Sequence, residues 1–195
     1  MRADHAVAPP GARADGGAAR ALRRLKEIPA APDAPLKRSF PPVVDVRSRA
    51  LVLGTLPGEE SLRRQEYYAH PRNLFWPIVF GLFGAAPSPV YAERLGFVAA
   101  RGIALWDVCA AASRRASADA AIRAEEPNTI ADLLVEHPGI RAVAFNGSTA
   151  RRLYDRHFRR RPDLTYLALP STSPAHARLG LAAKLAEWQA LRDLL

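Results

Sequence analysis

The sequence predicts an α/β fold: a three-layer α/β/α sandwich around a central four-stranded, mostly parallel sheet. Three observations carry that expectation. Four short apolar runs are spread along the chain, at Ala50–Gly54, Gly102–Trp106, Ile140–Phe145 and Leu164–Leu169. Each is short, and Gly54, Asn146-Gly147 and Pro170 close three of them, so they read as strands buried on both faces. Stretches of helical spacing lie between them, and strands alternating with helices pair in parallel. The 195 residues, 49% of them hydrophobic, suffice for one core and not for two full domains.

Residues 1–42 precede this pattern. They repeat Ala, Pro, Gly and Arg, and in Ile28–Pro35 each Pro removes a donor and restricts the residue before it. The segment reads as a disordered basic N-terminal tail with a short helix at Ala18–Glu27. Residues 1–49 hold 10 basic and 5 acidic residues, and a solvated extension is favoured over a DNA-tethering arm. Residues 43–195 form a single domain. After the first strand comes a loop, then a helix carrying Phe75, Trp76, Ile78, Val79 and Phe80. Ile130–Glu136 and Ser148–Phe158 have helical spacing. Leu179–Leu195 is a terminal helix with Leu181, Leu185, Trp188 and Leu191 on one face.

Composition excludes several classes. No apolar run approaches the roughly 18 residues of a membrane-spanning helix, and the start has no apolar segment of the secretory type. Cys109 is the only cysteine, so an intramolecular disulfide and a cysteine-cluster metal site are excluded and a reducing, cytoplasmic location is expected. The formal charge of +9 is compatible with a polyanionic partner, although 25 of the 28 basic residues are Arg, which a GC-rich genome also produces.

In parallel sheets ligands bind beyond the carboxyl ends of the strands. The first such segment, Gly54-Thr-Leu-Pro-Gly58, lacks the Gly-Lys-Ser/Thr of a phosphate loop. Its two glycines around a proline make a rigid turn whose backbone N–H groups suit an anion or a carbonyl oxygen. Gln65–Trp76 follows and is dense in polar and aromatic groups: Tyr67, Tyr68, His70, Arg72 and Asn73. Tyr stacks on a planar base, Asn reads a base edge and Arg holds a phosphate. At the fourth strand end, Ser171, Thr172 and Ser173 between Pro170 and Pro174 suit a phosphate backbone, against the plainer reading of a capped loop. Asp107 and Asn146, at the second and third strand ends, are weaker candidates with plain readings as a helix cap and a turn residue.

Taken together, Gly-Thr-Leu-Pro-Gly, Tyr-Tyr-Ala-His-Pro-Arg-Asn-Leu-Phe-Trp and Leu-Pro-Ser-Thr-Ser-Pro-Ala resemble the uracil-DNA glycosylase superfamily, most closely its hypoxanthine-DNA (deoxyinosine) glycosylase branch. The resemblance spans about residues 50–177 and implies the same four-stranded sandwich. It implies a base pocket from Gly54, Thr55, Leu56, Pro57 and Gly58, with Tyr68 stacking on a flipped base and His70 nearby. It implies Asn73 as the catalytic side chain. It implies Ser171, Thr172, Ser173, Pro174 and Ala175 pinching the DNA strand, with His176 and Arg178 on phosphate. Leu56 departs from the pattern: many members carry Asp or Asn there to position the attacking water, and leucine has no hydrogen-bonding group. The implied activity is monofunctional hydrolysis of the N-glycosidic bond of hypoxanthine in DNA. It would need no metal or other cofactor, and a monomer would act on double-stranded DNA containing a deaminated base. Uracil as the main substrate is the alternative within the class, and a non-catalytic damage-binding module the alternative outside it. A serine hydrolase is disfavoured because no G-x-S-x-G is present.

Overall fold

The structure is a computed structural model and describes residues 36–113 and 123–195. In chain order its elements are β1 (Leu36–Arg38), β2 (Ala50–Gly54), α1 (Glu59–Arg64), α2 (Phe75–Gly81), α3 (Tyr91–Ala100), β3 (Ile103–Asp107), β4 (Cys109–Ser113), β5 (Arg123–Pro127), α4 (Ile130–Glu136), β6 (Ala142–Asn146), α5 (Ser148–His157), β7 (Thr165–Leu169) and α6 (Leu181–Arg192). The helix expected at Ala18–Glu27 lies outside the described residues.

The four apolar runs form one parallel sheet in the order β3-β2-β6-β7. Every residue of β2, β3 and β6 is buried, as parallel strands with both faces covered require. Successive side chains point to opposite faces, and two cores result. Leu51, Leu53, Ala104, Trp106, Val143 and Phe145 pack with Leu133, Leu134, Leu153 and Tyr154 of α4 and α5. Ala50, Val52, Ile103, Leu105, Ala142 and Ala144 pack with Phe75, Ile78, Val79, Val98, Trp188 and Leu191 of α2, α3 and α6. Helices therefore cover both faces of the sheet, giving the expected three layers.

Register positions the site. Gly54 lies opposite Asp107, Leu53 opposite Phe145, and Asn146 opposite Leu169. The carboxyl ends of all four strands thus finish at one edge of the sheet. Pro77 sits in the first turn of α2, where a missing N–H leaves no helical bond unmade.

Three features differ from the sequence reading. A second, antiparallel sheet, β1-β4-β5, stands beside the first. Residues 36–42, read with the tail, belong to the domain, because β1 pairs with β4 and Ser39 N–H donates to Ala110 O at 2.8 Å. Val43 exchanges two hydrogen bonds with Leu105 as well, each 2.9 Å. Proline removes a donor but keeps its acceptor, and the Pro41 carbonyl takes the Tyr67 hydroxyl at 3.2 Å while that of Phe40 takes Trp106 Nε1–H at 3.1 Å. In the last helix, Leu181 is 43% exposed and Lys184 is buried instead, beside Trp188 and Leu191. The ammonium of Lys184 donates to His176 O at 2.8 Å, and its alkyl stem supplies the apolar surface expected of a leucine.

Candidate active site

The strand ends enclose a cavity of about 120 Å³. Its walls include Gly54, Thr55, Leu56, Pro57 and Gly58 from the first turn, Tyr68, His70 and Asn73 from the second segment, and Ser171, Thr172, Ser173 and Pro174 from the last. Asp107 and Asn146 join them. Three segments far apart in sequence thus meet because one parallel sheet delivers them to one edge.

Gly54 has a steric reason to be glycine. A Cβ there would stand 2.5 Å from Asp107 Oδ1 and 3.3 Å from the Tyr68 hydroxyl oxygen. The carbonyls of Gly54 and Thr55 accept N–H bonds from Val108 (2.9 Å) and Cys109 (3.1 Å), locking the turn to the β3–β4 junction. Leu56 is buried and belongs to the α4/α5-side core. Its side chain fills space there and offers no hydrogen-bonding group to the cavity.

Asp107 is neither a helix cap nor a surface group. It is 4% exposed, and its Oδ2 accepts the Ser39 hydroxyl at 3.0 Å. Its backbone carbonyl accepts Asn128 Nδ2–H at 2.9 Å. Burial, and secondarily the Asp107 charge, push the Tyr67 phenol far above its ordinary value, so Tyr67 remains a neutral donor at any working pH.

Tyr68 adopts a left-handed backbone conformation, φ +56°. That is unusual for an aromatic residue and persists only where the surroundings dictate it. Bonds on both sides do so: Trp76 Nε1–H donates to Tyr67 O (3.1 Å), Tyr67 N–H donates to the Tyr91 hydroxyl (3.0 Å), and Ala69 N–H donates to Ser61 Oγ (3.2 Å). The Tyr68 ring lies on Phe75, with centroids 3.8 Å apart and planes 18° from parallel.

Asn73 Oδ1 accepts the Phe75 N–H at 2.9 Å and so caps the start of α2. That bond fixes which end of the amide is oxygen. The two Nδ2 hydrogens are left for the cavity, together with the second lone pair of the oxygen. His70 Nδ1 accepts the Arg72 N–H at 3.1 Å, which in the neutral ring puts the proton on Nε2.

Asn146 and Thr172 form a reciprocal pair. Asn146 Nδ2–H donates to Thr172 Oγ1 at 2.9 Å, and Thr172 N–H donates to Asn146 Oδ1 at 2.8 Å. The Thr172 carbonyl also accepts Leu74 N–H at 3.0 Å. Thr172 is fully buried. It was expected to meet DNA; its hydroxyl is instead spent on Asn146, and its part is to join β6, the Asn73 segment and the last loop. Asn146 is correspondingly more than a turn residue. Ser171, Ser173 and Pro174 are half-buried at the cavity wall, while Ala175, His176 and Arg178 are exposed beyond it. His176 and Arg178 line a different depression, with Ser171 at its edge.

Sequence reasoning missed Ser39, which lay in the presumed tail, and the cavity-lining Glu60 and Ser61. Ser61 has a readable signal in hindsight, a hydroxyl in the first turn of the helix that follows the Gly54–Gly58 turn. Ser39 has none, since its role depends on β1 pairing with β4.

A DNA glycosylase needs such an arrangement, a small walled cavity at the strand ends carrying an aromatic platform and an amide. The comparisons agree with it. The family model for the uracil DNA glycosylase superfamily matches residues 41–195. A Methanosarcina acetivorans protein named hypoxanthine DNA glycosylase is 37% identical over 157 residues, which are 80% of this chain and 98% of that protein. A protein of the same name from Methanosarcina barkeri is 38% identical over 112 residues, covering 57% of this chain and 71% of its own. A solution structure from Methanosarcina acetivorans, described as a uracil DNA glycosylase, superposes with a TM-score of 0.69 at 34% identity, covering 81% of this chain and 97% of that one. The chain belongs to the uracil DNA glycosylase superfamily.

Proposed function

We propose that this DNA glycosylase is monofunctional and removes hypoxanthine from deoxyinosine flipped out of duplex DNA. The observation that carries the reading is the meeting of the Asn73 amide and the Asp107 carboxylate on one cavity of base-like size. Hypoxanthine presents O6 as an acceptor and N1–H as a donor. An N–H of Asn73 on O6 and a carboxylate oxygen of Asp107 on N1–H complement that pair, and adenine reverses both. The printed names of the Methanosarcina relatives support the same substrate.

Flipping costs a few kcal/mol and is cheapest at a mispaired base. In the cavity the base stacks against Tyr68, which Phe75 supports from behind. As the C1′–N9 bond lengthens, its electron pair leaves with the base and the sugar becomes cationic. Donors fixed in advance, Asn73 Nδ2–H and His70 Nε2–H, stabilise the negative charge on the base. Water adds its oxygen to C1′, and its proton ends on the released base. The second lone pair of Asn73 Oδ1 orients that water, a role that Leu56 lacks the chemistry to fill. Among the described residues no lysine lines the cavity. With no amine there to attack C1′, water takes that step and the strand is left intact.

Uracil carries the same acceptor–donor pair in O4 and N3–H, so it is the second reading, and pocket size separates the two. The protein is read as a monomer and as a metal-free, cofactor-free enzyme of the cytoplasm, where a lone buried thiol suits a reducing medium. The test is incubation of labelled duplexes carrying one deoxyinosine or one deoxyuridine, followed by alkali. Alkali-labile sites at inosine support the reading. Cleavage at uracil alone replaces hypoxanthine as the substrate, and no abasic product from either leaves a binding module.

A further inference from the structure

The first strand reaches the base cavity from outside the parallel sheet. Leu36-Lys-Arg38 pairs antiparallel with β4, which begins at Cys109, two residues after β3 ends at Asp107. Arg38 lies opposite Ala111, and Ser39 N–H extends the ladder to Ala110 O at 2.8 Å. That register sets the Ser39 hydroxyl beside a carboxylate 68 positions away, with Oγ 3.0 Å from Asp107 Oδ2.

The hydroxyl has one hydrogen and two acceptors within reach, Asp107 Oδ2 at 3.0 Å and Phe40 O at 3.2 Å. The carboxylate takes it, being nearer and charged, and a bond to an ionised acceptor is about twice as strong as a neutral one. Phe40 O is already supplied by Trp106 Nε1–H at 3.1 Å. The segment that carries the hydroxyl is tied down on both sides of it. Lys37 Nζ reaches Glu59, the first residue of α1, at 3.2 Å. Val43 exchanges two backbone bonds with Leu105, each 2.9 Å.

The two oxygens of Asp107 have different neighbours. Oδ2 faces Ser39. Oδ1 is the atom that a Cβ on Gly54 would meet at 2.5 Å, and the same Cβ would meet the Tyr68 hydroxyl oxygen at 3.3 Å. Oδ1 therefore stands on the side of two cavity residues. A carboxyl group turns about its last side-chain bond in a broad torsional well. A bond to one oxygen narrows that rotation and so sets the place of the other.

We propose that Ser39 is a positioning residue for base recognition: its bond to Oδ2 aims Oδ1 of Asp107 at the N1–H of the flipped base. The proposal rests on the reading of hypoxanthine by Asp107 and extends it to a residue that touches no substrate. A donor on Oδ2 also favours the ionised carboxylate, whose oxygens only accept. The N1–H of hypoxanthine then meets an acceptor. N1 of adenine, itself an acceptor, meets a second acceptor and is rejected.

The experiment is single-turnover excision from an inosine duplex by the full chain, arranged as a double-mutant cycle of Ser39→Ala and Asp107→Ala, with Ser39→Thr beside it. Thermal melts set the assay temperature below the lowest transition among the variants. Ser39→Ala is expected to slow excision by about 10–100-fold. Ser39→Thr keeps the hydroxyl and should return most of the rate. Once Asp107 is Ala, Ser39→Ala should make no further difference, whereas a residue that only held β1 to β4 would slow both backgrounds by the same factor. An unchanged rate in Ser39→Ala, equal factors in the two backgrounds, or Ser39→Thr as slow as Ser39→Ala overturns the proposal and leaves the glycosylase reading standing. Wild-type excision by Asp107→Ala removes Asp107 from recognition and Ser39 with it. No excision of inosine by the wild-type chain overturns the substrate reading on which both rest.

Discussion

Asn146 and Thr172, 26 residues apart, exchange two hydrogen bonds, N–H to Oδ1 at 2.8 Å and Nδ2–H to Oγ1 at 2.9 Å. Both residues are buried. One amide thereby satisfies both the backbone donor and the hydroxyl of a threonine whose carbonyl is bonded to Leu74. Replacing Asn146 by Ala leaves two buried polar groups of Thr172 without partners, which costs about 1–3 kcal/mol for each such group. Asn146→Asp keeps the acceptor for Thr172 N–H, and the threonine hydroxyl rotates to donate to the second oxygen. The expected order of stability in urea unfolding is wild type, then Asp, then Ala, with excision falling in the same order. Equal stability of Ala and wild type would falsify the joining role.

Gly54 and Asp107 are register partners across β2 and β3. Gly54→Ala places a methyl 2.5 Å from Asp107 Oδ1, and the carboxylate moves or the turn does. Overpacking of this kind costs about 1–3 kcal/mol. The cavity wall shifts with it, so single-turnover excision is expected to fall by more than the melting temperature implies. An Ala variant that excises at the wild-type rate would show that Asp107 has no fixed place in base recognition.

Much of this was legible before any coordinates. Ala50–Gly54 and Ala142–Phe145 are apolar on both faces, and only a covered parallel strand tolerates that. Gly54, Asn73 and Ser171 each sit just beyond such a run or on the segment that follows it. The second sheet was not legible. Cys109-Ala-Ala-Ala-Ser113 is made of small residues without alternation, and Leu36-Lys-Arg38 lies in a stretch dominated by proline and alanine. The partner of each supplies the reason for the strand. Nor was Thr172 separable from Ser171 and Ser173, since three adjacent hydroxyls in a loop have no period to say which one turns inward. Lys184 was hidden because its partner is a backbone carbonyl eight positions away, on a loop with no side-chain signature.

Burial lowers the Lys184 pKa from its ordinary value of 10.5. The sign of the linkage follows. Between the lowered native value and 10.5 the unfolded chain binds more protons than the folded one, so stability rises with pH across that window. Below the native value the penalty for burying the charge is fully present. Lys184→Met removes both the penalty and the bond to His176 O. The difference in unfolding free energy between wild type and Lys184→Met is expected to change in favour of wild type as pH rises from 8 toward about 10.5. A difference independent of pH would show that the ammonium is as well solvated in the folded chain as in the unfolded one.

Tyr68 pairs a strained backbone with a stacked ring. Asparagine tolerates the left-handed region far better than tyrosine does. Tyr68→Asn relieves strain of about 1–3 kcal/mol and loses a ring contact worth about 0.5–1.5 kcal/mol beyond its buried area. The lost apolar area of the ring adds to that loss, so stability should fall, but by less than the about 3–5 kcal/mol of an aromatic truncation that relieves no strain, while excision collapses because the platform for the base is gone. Tyr68→Phe should keep the platform and most of the activity. A Tyr68→Asn variant that keeps wild-type excision would remove Tyr68 from base stacking.

Asn73 performs a structural and a chemical task with opposite ends of one amide. Its oxygen caps α2 through the Phe75 N–H at 2.9 Å, and its nitrogen lines the cavity. Asn73→Ala loses both: about 0.5–2 kcal/mol of stability from the cap, and about 10²–10³-fold in single-turnover excision from a lost donor aimed at developing charge. Asn73→Asp separates them. A carboxylate caps a helix start at least as well as an amide, so stability should return to the wild-type value or above it. It has no N–H to give to O6, and its charge opposes the negative charge growing on the leaving base. Excision by Asn73→Asp should stay as low as in the Ala variant despite the restored fold. Recovery of both properties together would mean that Asn73 acts through its oxygen alone, on α2 and on the water, and that the donor to the base comes from His70 or the Gly54–Gly58 turn.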